Sequence, residues 1–422
     1  MNKTSNKVTI LLVALFLILC QPFIAHAEKD GWPIKVDDDI YSMPALADID
    51  GDGKLEIIVG VSGNRRKDKN GSLYVWNYEG KLCSGWPKKV VGRIYHPGAS
   101  AGDLDPNYEG LEIAICTERG MLYIWHKDGT LMAGWPKRLP KAIYASPVII
   151  DLDNNGKLEV VIGCADGNVY VYNASGGLVP GWPQDTGAPI YTTPVVKDIT
   201  QDGKLEILVC NGKNKAYMWD EKGKLIPGWP KQNLGNKAPA AGDLDKKHKG
   251  LEIVFSGNDK INILHSDGTF FNGWAVETPG LPSVGDIDKD GSPEVVIISN
   301  RNKKPPFIYA WHADGKTVKG WPIVLRATPG YPVSCVPVLR DLDGDERLET
   351  IVGDSCYSLH AWYDDGTRLK GFPIGKIGMQ TKSPAIADLD NNGHLEIVFG
   401  DSSSVLSVHV LELPFFVKKR FK

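Results

Sequence analysis

The sequence predicts an all-β chain closed into an eight-bladed β-propeller of four-stranded antiparallel blades. Three observations carry the prediction. An aspartate-rich segment recurs eight times, a tryptophan-proline element recurs in step with it, and the two chain ends hold complementary parts of one repeat.

With 422 residues the chain exceeds one ordinary hydrophobic core, so it is either several domains or one repetitive one. Its 46 glycines and 28 prolines imply frequent turns, and 42% hydrophobic residues with twelve tryptophans exclude a disordered or collagen-like chain. A formal net charge of −3 argues against a nucleic-acid binder, which needs a basic excess to meet phosphates.

Residues 1–27 read as a signal peptide. Lys3 and Lys7 precede an apolar run from Val8 to Leu19, and Ala25-His26-Ala27 supplies a small-residue cleavage site. About twelve apolar residues are too few for ~30 Å of hydrocarbon, and Leu19 is too bulky for a lipoprotein motif at Cys20. The expected layout is therefore a leader over 1–27, one propeller over 28–413 and a basic tail over 414–422, exported and without a transmembrane segment in the mature chain.

The repeat begins each time at an aspartate: Asp48, Asp103, Asp151, Asp198, Asp243, Asp286, Asp341 and Asp388. The second marker, Gly-Trp-Pro or a variant, places an aromatic at Trp32, Trp86, Trp135, Trp182, Trp229, Trp274, Trp321 and Phe372. Both series have a period of about 49 residues, the size of a four-stranded blade. In the first unit strand A is expected over Pro44–Ile49, B over Leu55–Gly60 and C over Ser72–Asn77, the last half-buried by its alternation. Strand D begins at Trp-Pro, where proline suits an outer edge. Asp128-Gly129, Asp267-Gly268, Asp314-Gly315 and Asp365-Gly366 predict type I′ turns between C and D.

The chain opens on Gly31-Trp32-Pro33 with no A, B or C strand before it. It ends on A, B and C strands over Ser383–Leu413 with no Trp-Pro after them. The N-terminal strand should therefore complete the last blade and remove the open edge. All twelve tryptophans fall at repeat positions, which favours packing between blades over a sugar platform. His126, His265 and His312 recur at one hairpin position and read as turn residues rather than catalytic bases.

Between strands A and B runs Asp48-Ile-Asp50-Gly-Asp52-Gly53-Lys54-Leu-Glu56. Alternate carboxylates on a tight turn converge, and a hard cation with oxygen ligands suits them better than zinc. Carboxylates ~4 Å apart repel by roughly 4 kcal/mol at an effective dielectric of 20, a penalty that calcium removes.

These loops, in these blades, resemble the FG-GAP or VCBS repeats of integrin-alpha-type propellers, over essentially residues 31–413. The resemblance implies calcium held by acids at loop positions one, three, five and nine and by the carbonyl at seven. The implied sets are Asp48, Asp50, Asp52, Lys54 and Glu56; Asp151, Asp153, Asn155, Lys157 and Glu159; Asp286, Asp288, Asp290, Ser292 and Glu294; and Asp388, Asp390, Asn392, His394 and Glu396. Integrins usually have seven blades and aspartate at position nine, so the blade count and the glutamates depart from that pattern.

Four loops are degraded. Thr200 interrupts Asp198, Asp202 and Glu206, and Glu346 takes a glycine position in the set Asp341, Asp343, Asp345 and Glu349. The second and fifth loops are one residue longer, and Lys246, Lys247 and Lys249 of the fifth could replace a metal. Glu112 and Glu252 persist there, which predicts that the glutamate also caps loop amides.

Cys335 and Cys356 flank one A–B hairpin and are expected to form a disulfide, whereas Cys116 and Cys210 are too far apart to pair easily. On the face opposite the acidic loops, Tyr41, Tyr95, Tyr144, Tyr191 and Tyr331 recur before strand A, beside the basic residues Arg65, Arg66, Lys67, Lys69, Arg301, Lys303 and Lys304. Integrin-type propellers bind partners on this face, so the resemblance implies a surface for an acidic or sugar-bearing ligand. The expected function is a non-catalytic, exported binding or adhesion module for a protein or glycan. The alternatives are a lectin, a calcium-dependent polysaccharide lyase or a quinoprotein. Against the enzymes stand the unbroken repeat rhythm and the lack of an adjacent cysteine pair.

Overall fold

The computed structural model describes residues 28–63, 70–257, 260–271, 274, 276–278, 280–299, 306–325, 335–354, 358–375, 383–401 and 407–413. They form eight antiparallel sheets in a ring, an eight-bladed β-propeller without helices. In the first blade, strand A (Ala45–Ala47) pairs with B (Glu56–Val61), B with C (Gly71–Trp76), and C with D (Lys88–Val90). Six sheets have four strands. The fourth and fifth have three, and there an Ala216–Lys231 bridge and an Ile261 N–H to Val276 O bond of 3.0 Å take the place of strand D.

Strand C departs from the half-buried expectation. All of Gly71–Trp76 is buried except Tyr74, and Glu56–Val61 is buried throughout. The reason is blade stacking: both faces of a blade lie against neighbours, so alternation loses its meaning. The hydrophobic clusters accordingly sit between blades. One joins Leu122 and Ile124 of the second to Val160 and Ile162 of the third.

The ring closes as expected. Ile34–Lys35 pairs with Ser407–Glu412, with Ile34 opposite Val408 and Lys35 opposite Ser407, and so becomes strand D of the eighth blade. Trp32 and Ile40 pack with Val398, Val408 and Val410 of that blade and with Ile57, Val59 and Val61 of the first. The A–B loops are hooked together as well. Leu111 N–H donates to Ile49 O (2.9 Å), Leu251 N–H to Ile199 O (2.7 Å), and Leu55 N–H to Leu389 O (2.8 Å) across the closure.

The tryptophans pack blade to blade. Trp86 meets Trp125 of the next blade edge to face at 5.9 Å, and its indole N–H donates to Lys127 O at 2.8 Å. Trp32 repeats the contact with Trp76 and Tyr78 O across the closure. The glycine before Trp32, Trp86, Trp135, Trp182, Trp229 and Trp321 has a steric cause. Gly85 has φ +83°, and a Cβ there would stand 1.8 Å from Asp128 O of the adjoining turn.

The C–D turns are not type I′. Only the glycine has positive φ (Gly129, 74°), Gly129 N–H donates to His126 O, and His126 N–H donates to Thr130 O. This is a type I turn closed by a left-handed glycine, the three-residue hairpin alternative for the same Asp-Gly dipeptide.

Candidate metal centre

The first, third, fourth, sixth, seventh and eighth A–B loops are each wound around their first aspartate. Asp48 Oδ1 accepts the amides of Gly51 (2.7 Å) and Asp52 (3.1 Å), and Oδ2 that of Gly53 (2.9 Å). Asp52 Oδ1 accepts Lys54 N–H at 2.8 Å. Asp151, Asp286 and Asp388 make the equivalent bonds to residues four and five positions on. The turn thereby brings together acids from its two ends. Carboxylate oxygens of Asp48, Asp50 and Glu56 lie within 4.8 Å of one another, as do those of Asp151, Asp153 and Glu159. Asp198, Asp202 and Glu206 cluster in the same way, and Asp288, Asp290 and Glu294 do so with His312. These clusters could hold a metal ion.

The glutamates cap the loops, as their persistence in the degraded loops predicts. Glu56 Oε2 accepts Ile49 N–H (2.9 Å), Glu159 accepts Leu152 N–H (2.9 Å) and Glu294 accepts Ile287 N–H (3.0 Å). They are deeply buried. Burial, reinforced by Asp50, Asp52 and Asp48, pushes the Glu56 carboxyl up to about 7. Glu159 is raised for the same reasons. A cation would offset this concentration of charge, and the oxygen-only donor sets of the first, third and fourth loops fit a hard ion.

The seventh loop keeps this geometry despite Glu346. That residue adopts the left-handed conformation itself (φ 69°), and its amide donates to Asp341 Oδ2 at 2.9 Å. Glu349 Oε2 caps Leu342 N–H at 2.7 Å, while Oε1 is buried without a partner. Burial and the aspartates raise its carboxyl to about 8. An orphaned buried carboxylate oxygen is what a missing cation would leave. In the fourth loop, by contrast, Thr200 Oγ1 donates to Glu206 Oε1 at 3.1 Å.

The second and fifth loops are filled by imidazoles, not by lysines. Glu112 Oε2 accepts Leu104 and Asp105 amides, and its Oε1 lies 2.9 Å from His126 Nδ1. Glu252 is held in the same way by Leu244, Asp245 and His265. Tyr108 stacks on His126 and His248 on His265, each at 3.9 Å. Lys246 instead reaches Gly291 O of the next blade. The hairpin histidines are turn residues as expected, but their role as glutamate partners was not visible from their spacing.

The eighth loop holds a residue that the motif does not contain. Lys29 Nζ lies 2.8 Å from Asp390 Oδ2 and 2.9 Å from Glu396 Oε1.

On the opposite face the recurring tyrosines form an aromatic arc across successive blades. Tyr41 and Tyr95 have ring centroids 5.1 Å apart, His96 bridges Tyr95 (4.4 Å) to Tyr144 (6.2 Å), and Tyr144 meets Tyr191 at 5.8 Å. Arg93 lies over Tyr95 at 4.9 Å while pairing with Glu118, and Tyr191 is 48% exposed. Tyr331, Cys356, the basic residues between strands B and C, the leader and the tail lie outside the described residues. The expected disulfide therefore does too. Cys335 Sγ donates to Gly353 O at 3.2 Å. No helix among the described residues is long and apolar enough to cross a membrane.

The pattern of the FG-GAP-like repeat matches residues 151–209, 286–352 and 341–399, and that of the FG-GAP repeat matches residues 44–76. No curated protein matches the chain. Among solved structures it is similar to the V. cholerae biofilm matrix protein Bap1, with 14% identity, 92% of this chain and 90% of that chain covered, and a TM-score of 0.65. Similarity extends to Saccharomyces cerevisiae Sqt1 (11% identity, 92% and 100% covered, TM-score 0.62). It extends also to a europium-containing methanol dehydrogenase (11% identity, 90% and 92% covered, TM-score 0.62). At these identities the likeness is one of fold.

Proposed function

Because the chain is an FG-GAP-repeat β-propeller, we propose that it is an exported, non-catalytic binding module whose ligand is a protein or a glycan. In this reading calcium stiffens the acidic loops on one face, and the ligand docks on the other. The observation that carries it is the repeated loop, in which acids are wound to one locus and a buried glutamate is left at high proton affinity. The residues that would hold calcium are Asp48, Asp50, Asp52 and Glu56, with their counterparts in the third, sixth and seventh blades. A bound divalent ion supplies charge balance there, and the chain's own amides already fix the first aspartate and the glutamate in place.

The ligand face is assigned to the aromatic arc from Tyr41 to Tyr191. Side-by-side rings with partly exposed faces suit the apolar faces of sugar rings or a protein side chain. A glycan array tests it: binding by the intact protein, lost on Tyr144→Ala and Tyr191→Ala, supports the reading. Equal binding by the variants contradicts it. Lyase activity on pectic polymers, or a quinone absorption band in the purified protein, would overturn the non-catalytic reading.

A further inference from the structure

The eighth A–B loop carries the calcium pattern in its sequence, yet it differs physically from the other complete loops. Lys29, on the N-terminal segment, extends its ammonium between Asp390 and Glu396. Its side chain is 11% exposed, Asp390 18% and Glu396 0%, so water screens the contact little. The backbone delivers it there firmly. Lys29 N–H donates to Val410 O at 3.0 Å, Glu28 pairs with His409 Nδ1 at 2.6 Å, and both residues lie just before the strand that closes the ring.

We propose that Lys29 is the resident cation of the eighth loop, so that the propeller closes on an ammonium-carboxylate lock instead of a metal ion. A compact ammonium with three donors pairs with Asp390 Oδ2 and Glu396 Oε1 and leaves Asp390 Oδ1 buried without a partner. It bridges the third- and ninth-position acids, the same pair whose counterparts approach each other in the first and third loops. Among the described residues no ion pair reaches Glu56 or Glu159, and Glu294 is met only by an imidazole. A divalent ion and the ammonium at one locus would repel strongly, so occupancy is exclusive. The consequence is a division of labour: chelation loosens the metal-held blades and leaves the closing blade intact.

The assignment rests on the calcium reading of the other loops, and the test separates the two. Calcium is titrated calorimetrically into chelator-stripped wild-type protein, Lys29→Met, Asp390→Asn and the double variant. Lys29→Met should gain one site over wild type, Asp390→Asn should keep the wild-type number, and the double variant should lose the gained site. Loss of a site on Asp390→Asn alone overturns the lock, as does an unchanged number in a folded Lys29→Met. If Lys29→Met does not fold, the Asp390→Asn titration decides alone. If no protein binds calcium, the calcium reading fails, and the lock is judged from melting in chelator. Losses in Tm that are less than additive in the double variant support it, and additive losses overturn it.

Discussion

Glu112 and Glu349 hold the same place in the second and seventh blades and differ in what surrounds them. Glu112 spends both oxygens, on two amides and on His126. Replacing it by alanine strands buried donors, and Glu112→Ala should destabilise by about 3 kcal/mol in chemical denaturation, with or without calcium. Glu349 leaves Oε1 without a partner, so Glu349→Gln should raise the Tm at pH 8 in chelator and abolish the gain that calcium gives at that loop. The pH dependence follows from the same charge. The carboxyls of Glu56 and Glu349 rise from 4.5 to about 7 and about 8 on folding, so the folded state binds more protons than the unfolded one across that window. Ion-free stability therefore falls as pH rises from about 4.5 to about 8 and levels off above. Calcium favours the ionised form, so its Tm increment should be largest at pH 8 and shrink toward pH 5 in parallel scans. The carboxylates were legible in the sequence because they recur at fixed loop positions. Lys29 was not, because it meets Asp390 across 361 residues and belongs to no repeat.

At the scale of the element, the repeat revealed the strand order and the turns but not the turn type. An Asp-Gly pair serves both a two-residue turn and a type I turn with a left-handed glycine, and composition alone does not choose between them. Strand C misled through its alternation, since stacking on both faces buries nearly every position. The recurrent geometry of the Trp-Pro element is steric at its glycine. Gly85→Ala would drive a methyl group into Asp128 O and force a disfavoured φ, at a cost of about 2 kcal/mol or more. Ala114→Gly, on a buried strand between blades, removes only one methyl and should cost about 1 kcal/mol. Urea unfolding of the two variants compares them directly.

For the whole molecule, ring closure was legible because the two chain ends carry halves of one blade, an arrangement that only a closed ring completes. Deleting residues 28–36 would remove the outer strand of the eighth blade and uncover Ser407–Glu412 as an open edge. Size-exclusion chromatography should then show association or aggregation where the intact chain is monodisperse. The face of the ring was legible too, since antiparallel strands put the A–B loops on one side and Tyr41, Tyr95, Tyr144 and Tyr191 on the other. Backbone hydrogen bonds hook neighbouring loops together, and the negative charge that each loop concentrates opposes folding until a cation offsets it. The most direct measurement is a calorimetric calcium titration of chelator-stripped protein, read with the melting curve. The account predicts four sites, in the first, third, sixth and seventh loops, and a raised Tm on saturation. Absence of binding with an unchanged melting curve would contradict it.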